Sequence, residues 1–140
     1  MRLEHLDYIH LLPGAALPEL SCLQPFKAVV IVESAVTSEW QAQVSSWLVG
    51  SGCRYMMAWG IECSSWDDSV DHASLDVFDH REAPDDTFVM TTWHEDQSLS
   101  DVFGFSKNWA HHPILELKDL VVVHISENER HDIEAAYENA

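Results

Sequence analysis

Ala28-Val29-Val30-Ile31-Val32 is the segment that most limits what this chain can fold into. Four of its five residues are β-branched, which favours extended backbone, and none is polar. A strand with no polar alternation has to be covered on both faces, so it belongs inside a sheet that carries helices on either side. The residues that follow read as the first of those helices. Ser38 and Gln41 have the spacing of a capping box, and Trp40, Val44, Trp47 and Leu48 recur at one-face helical intervals before Gly50 and Gly52 offer a stop.

The unit then repeats. Arg54 to Trp59 reads as a second strand, and Ser65-Trp66-Asp67-Asp68 opens a helix carrying Trp66, Val70, Ala73 and Val77. Thr87 to Thr92 is the third strand. A helix from about Ser98 presents Leu99, Val102, Phe103 and Trp109 inward and ends by Pro113. Leu120 to Ile125 is the fourth strand, and a capping box at Ser126 and Glu129 precedes a last helix with Ile133, Ala136 and Tyr137 on its apolar face. Strands alternating with helices of this length predict right-handed βαβ crossovers and a three-layer α/β sandwich, flavodoxin- or Rossmann-like. Its mainly parallel sheet has four to five strands, the four from residue 28 onward in the order 2-1-3-4. Residues 1–140 form one domain, with 28–140 as the alternating core and 1–27 as an edge segment. In that segment Leu6 to Leu12 suits a short edge strand, Pro13-Gly14 a turn, and Leu17 to Phe26 a wrap around the edge.

Charge narrows the function. Twenty-four Asp and Glu against seven Lys and Arg give a formal net charge of −17, yet 46% of the chain is hydrophobic, enough for a core. Between Glu62 and Asp101 twelve carboxylates stand against one strong base, Arg81. Such a surface repels phosphate backbones, which disfavours nucleic acid, and attracts basic proteins. No apolar run approaches the roughly 18 residues of a membrane span, and the N-terminus lacks the features of a signal peptide. Three cysteines without a CxxC pair, Cys22, Cys53 and Cys63, predict a reducing, cytoplasmic setting.

In a doubly wound sheet ligands bind beyond the carboxyl ends of the strands. There the sequence places Glu33, then His94 with Glu95, then His124. These are the candidates for general acid/base work, and His94, Glu95 or Asp96 and His124 could instead hold a metal. No known catalytic, metal or phosphate-binding motif accompanies them, and no cofactor is implied. His111-His112 points two ways on a helix and suits its C-terminal dipole better than a metal. Cys63 lies near a helix start, with no base beside it in sequence. Trp40, Trp47 and Trp109 fall on inward stripes. Trp59, Trp66 and Trp93 fall at strand ends beside Asp67, Asp68 and Asp71, a grouping that suits a protein-binding surface.

Three strings, Tyr55-Met56-Met57-Ala58-Trp59-Gly60, Cys63-Ser64-Ser65-Trp66-Asp67-Asp68-Ser69-Val70-Asp71 and Phe88-Val89-Met90-Thr91-Thr92-Trp93-His94-Glu95, resemble a family of small bacterial domains of unknown function. The resemblance covers Pro25 to about Ile125, departs at Gly104 where such proteins are bulkier, and implies a bacterial origin and one compact domain. It supplies no catalytic residues. The function expected from charge and aromatics is an acidic cytoplasmic protein-binding module, an immunity or inhibitor protein that neutralises a basic partner such as a bacterial toxin. The alternative is a small hydrolase-like or metal-dependent enzyme working at the strand carboxyl ends.

Overall fold

Five strands and four helices alternate along the chain in a computed structural model that describes residues 5–20, 25–77 and 88–140. They are β1 (His5–Leu11), β2 (Phe26–Val32), α1 (Ser38–Ser51), β3 (Cys53–Gly60), α2 (Ser65–Val77), β4 (Met90–His94), α3 (Leu99–Asn108), β5 (Asp119–Ile125) and α4 (Ile133–Glu138). Every strand pairing is parallel, and the sheet order is β1-β5-β2-β3-β4. One face packs on α1 and α2 through Trp40, Val44, Leu48, Trp66 and Val70, while the other packs on α3 and α4 through Val102, Phe103, Ile133 and Tyr137. The three-layer sandwich expected from the alternation is therefore present.

The strand order differs from expectation. Counted from the strand at residue 28, the order is 3-2-1-4 rather than 2-1-3-4, which is the arrangement of the first four strands of a Rossmann sheet. Burial explains it. From Leu120 to Ile125, β5 is buried throughout and needs a neighbour on each side, which β2 and β1 provide. The polar β4, Met90-Thr91-Thr92-Trp93-His94, is mostly half-exposed and tolerates the edge. After β4 the chain returns across the opposite face, so α3 lies on the other side from α1 and α2.

Local signals shift in three places. Thr37, not Ser38, caps α1, its hydroxyl accepting from the Trp40 amide, and Gly52 closes the helix in the left-handed region at φ 112°. The helix α3 starts on a true capping box between Ser98 and Asp101 but ends at Asn108, so Trp109 is 71% exposed rather than core, and Ala110 turns inward instead. Ser126 does not cap a helix: its hydroxyl donates to the Asn128 carbonyl, and α4 begins at Ile133. The edge segment supplies the expected strand and turn, but Phe26, expected to end a wrap around the edge, is the first residue of β2 and fully buried. β1 pairs with β5, Gly14 turns at φ 81°, and Leu17 and Leu20 lie on the α1 side, where Ala15 and Pro18 carbonyls accept the Trp40 and Trp47 indoles. Cys22, Thr87 and part of the acidic stretch, including Arg81, lie outside the described residues.

Gly60 ends β3 at φ 108°, where a Cβ would run into the Val32 carbonyl oxygen that already accepts the Ile61 amide. Gly104, inside α3, has open space around its missing side chain. Gly60→Ala should therefore cost more than about 2 kcal/mol. Gly104→Ala should gain up to about 1 kcal/mol. Urea unfolding midpoints of the two variants against the wild type check both signs.

Candidate functional site

The chain leaves β2 toward α1 on one face and leaves the adjacent β5 toward α4 on the other. The crevice between those two strand ends is the switch point where this architecture ordinarily receives ligands. Glu33 follows β2 and His124 lies in β5, and the structure brings them together: His124 Nε2 is 2.5 Å from Glu33 Oε1. Tyr8, reaching across from β1, places its hydroxyl 2.6 Å from His124 Nδ1, and the Arg130 amide donates to that hydroxyl at 3.0 Å.

The protons follow from this inventory. The Tyr8 hydroxyl, which accepts from the Arg130 amide, can pass its own proton toward Nδ1 while Nε2–H donates to the Glu33 carboxylate, an arrangement that gives every group a partner. Burial pushes the Tyr8 phenol above its ordinary value, opposed in part by the Arg130 amide. That keeps the donor protonated. The Arg130 guanidinium clasps Asp132 at 2.8 and 2.9 Å and reaches Glu33 Oε2 at 3.5 Å. The Asp132 carboxyl is held below its ordinary value chiefly by the guanidinium hydrogen bond. His124 is fully buried and Glu33 remains partly open to solvent. The arrangement can hold a proton between a carboxylate and a phenol, with Glu33 the member a ligand could touch.

His94 and Glu95 do not join it. β3 stands between β2 and β4, and His94 is opposite Trp59 of β3 in register. The buried His94 ring instead hydrogen-bonds Thr92 Oγ1 at 2.9 Å and Gln97 Oε1 at 3.0 Å, edge-on to Phe105. The expected cluster of Glu33 with His94 and Glu95 fails because it assumed β4 beside β2. The expected metal set of His94, Glu95 or Asp96 and His124 fails too, because it needed β4 beside β5, and β2 and β3 stand between them. Among the described residues, the group whose potential ligand atoms converge, within 4.8 Å, is Asp67, Asp68 and Asp71.

That acidic group sits on α2. Asp67 and Asp68 lie in the first turn, where carboxylates offset the helix dipole, and Asp67 also accepts from the Thr91 hydroxyl. Asp71 has no such role: burial, then the charges of Asp67 and Asp68, push its carboxyl above the ordinary range. Of the three strand-end tryptophans, Trp93 is 47% exposed and Trp59 half-buried, its indole donating to the Gln97 carbonyl at 2.7 Å. Trp66 is 1% exposed and belongs to the core between α2 and the sheet, so it offers no surface to a partner. Cys63 is buried beside it, and burial pushes the Cys53 thiol up to about 12. His112 is buried too, with Nδ1 accepting from the Ile114 and Leu115 amides, a structural role.

Tyr8 and Arg130 were not singled out from sequence. The alternation Leu6-Tyr8 on one face of the edge strand, with β1 placed against β5, is the signal that would have found Tyr8.

A family model described as a domain of unknown function, DUF7684, matches residues 6–140. The chain belongs to this family. No curated protein and no solved structure matches it. Membership thus agrees with the resemblance and assigns no chemistry.

Tyr8→Phe should leave His124 Nδ1 and the Arg130 amide without their shared partner, costing about 1–3 kcal/mol. A phenol whose value is raised on folding is lost more readily by the unfolded chain, so stability present below the ordinary tyrosine range falls as pH climbs through it. Tyr8→Phe should remove that part of the alkaline decline, read from urea midpoints at neutral pH and above 10, the unperturbed value.

Proposed function

We propose that this chain is a protein-binding module that engages a basic partner through its α2 and β4 side, as an inhibitor or immunity protein would engage a toxin in a reducing cytoplasm. The observation that carries the reading is Asp71. Its carboxyl is crowded by Asp67 and Asp68 within a shared 4.8 Å group, and among the described residues no Lys or Arg pairs with any of the three. Like charges held together weaken a fold, and a basic partner would relieve them. Trp93, Phe88 and Leu75 supply exposed apolar area from α2, β4 and the residue pair leading into β4. No helix among the described residues is long and apolar enough to cross a membrane.

A second reading, a small enzyme at the strand ends, is favoured by one feature, the Glu33–His124–Tyr8 hydrogen-bonded chain at the switch point. Against nucleotide chemistry, Glu33-Ser34-Ala35-Val36-Thr37 puts a carboxylate where a phosphate-binding turn would need glycines.

Affinity capture from the source cells tests the first reading. The partner should be basic, should bind faster at low salt than at 0.15 M, where screening acts within about 8 Å, and should lose association rate to the pair D68K/D71K. A partner that is not basic, or binding indifferent to salt and to the pair, overturns the reading. Trp66→Ala, in contrast, should act on the fold, costing about 3–5 kcal/mol of unfolding stability.

Asp71→Asn separates the two effects. A carboxyl raised on folding favours the fold when protonated, so the wild type loses that advantage as pH rises through the ordinary carboxylate range. Asp71→Asn should therefore be as stable as the wild type in acid and more stable at pH 7, while binding the partner more weakly. Thermal melts at the two pH values, run beside binding, give both readouts.

A further inference from the structure

The segment between α3 and β5 has no regular structure, and of residues 111–118 His112 is the one that is buried. Leu117 is the segment's half-buried apolar contact with the core, while Ile114 is 59% exposed, so packing does little to hold the turn at residues 113–115. Among the described residues, none of the loop and turn bonds between backbone groups involves residues 112–118. The His112 ring takes that role. Its Nδ1 accepts from the Ile114 and Leu115 amides, both at 3.1 Å, and its Nε2 meets the carbonyl of Phe88 at 2.7 Å. One imidazole therefore ties the approach to the central strand β5 to the approach to the edge strand β4.

These partners fix the proton. A backbone amide only donates and a carbonyl only accepts, so Nδ1 keeps its lone pair and Nε2 carries the hydrogen. The other buried histidines differ. His94 faces the Thr92 hydroxyl and the Gln97 amide oxygen, and His124 faces the Tyr8 hydroxyl and the Glu33 carboxylate. Either set can accept from both ring nitrogens at once. A second proton on His112 would instead aim an N–H at two other N–H groups. The charges around the ring add to that conflict. It borders a cavity of about 460 Å³ together with Lys27 from β2, Lys107 from α3 and the neighbouring His111. The one carboxylate on that lining is Glu116, itself 3.8 Å from Lys118.

We propose that His112 is a proton-released clasp. With one proton the ring holds the turn at residues 113–115 against the approach to β4, and with two it lets that turn lift away while the sheet stays folded. The sheet survives because β5, from Asp119 onward, is paired on both sides with β1 and β2. Closure requires an unprotonated Nδ1, so the clasp is present above the ordinary histidine range and is lost as pH falls through it. Opening uncovers the cavity that Lys27 lines and frees the backbone of Phe88, whose side chain is 51% exposed on the α2 and β4 side. The clasp thus couples acidity to the shape of that side, and it stands whether or not a protein binds there.

NMR of the intact ¹⁵N-labelled protein tests the clasp. Above the histidine range, imidazole spectra should show His112 as the Nε2–H tautomer. From about pH 7.5 to about pH 5.5, across the ordinary histidine value of about 6.5, protection of the Ile114 and Leu115 amides against hydrogen exchange should fall roughly tenfold, the response of an opening that takes up one proton. The opening is local, so low urea should leave exchange at these two amides unchanged while speeding it at Val30 and Val122 in the sheet. In H112N the Asn oxygen can accept from the same amides but takes no proton, so the fall should disappear. H111N, which alters the exposed neighbour, should keep it. Should H112N not fold, the wild-type tautomer and exchange measurements and H111N carry the test. An Nδ1–H or doubly protonated ring above the histidine range, protection that does not fall in acid, an equal fall in H112N, its loss in H111N, or urea-sensitive exchange matching that of the sheet overturns the proposal.

Discussion

β5 is hydrogen-bonded along its whole length to β1 on one side and β2 on the other, and this insertion determines the rest of the architecture. A strand whose residues from Leu120 to Ile125 are all buried cannot lie at an edge, since its backbone and both rows of side chains must be covered. Placing it beside β2 forces the chain to travel back from β4 across the face opposite α1 and α2. That return lays α3 on the second face and creates the switch point. The edge segment becomes structural for the same reason, because β5 would otherwise expose its far side.

The register of that insertion is marked by a polar residue. His10, His124 and Ile31 lie in line across β1, β5 and β2, so the imidazole comes between Tyr8 and Glu33. Slipping β5 by one residue would turn His124 into the apolar layer under α1 and α2, with no partner for either ring nitrogen, and a buried polar group without partners is costly. The Tyr8–His124–Glu33 chain thus discriminates against misregistered pairing whether or not it does chemistry. It also puts Glu33, a second carboxylate for Arg130 beside Asp132, into the crevice that this strand order would otherwise leave open.

Much of this was legible before any coordinates. Ala28 to Val32 revealed a buried strand because parallel sheets leave an unbroken apolar signature, and the tryptophan and valine spacing of α1 and α2 gave their inward faces. Strand order was not legible, because pairing depends on which strands need two neighbours, a property of the whole set. That one error misplaced His94 and Glu95 beside Glu33 and left Tyr8 unnoticed. Trp109 and Trp66 were misassigned in opposite directions for a local reason. Helical spacing says which way a residue would point, but not whether the helix lasts that long, as it fails to at Trp109, nor whether a first-turn residue beside a strand end is covered, as Trp66 is.

The distribution of acid along the strand ends carries the functional argument further than net charge does. Helix N-termini gather at this end of a parallel sandwich and ordinarily make it attractive to anions. In this chain Asp67, Asp68 and Asp101 occupy the first turns of α2 and α3 and are enough to answer those dipoles. Glu33, Glu62, Asp71, Glu95 and Asp96 go beyond that requirement, and burial with the charges of Asp67 and Asp68 pushes the Asp71 carboxyl above its ordinary value. An acid that pairs with no Lys or Arg among the described residues, and whose charged form folding disfavours, makes more physical sense as half of an interaction whose other half is positive. This distribution supports the proposal that a cation-bearing surface meets this end of the sheet, whereas an enzyme built on the same scaffold would have to begin from Glu33, the exposed end of a proton chain whose other members are already paired.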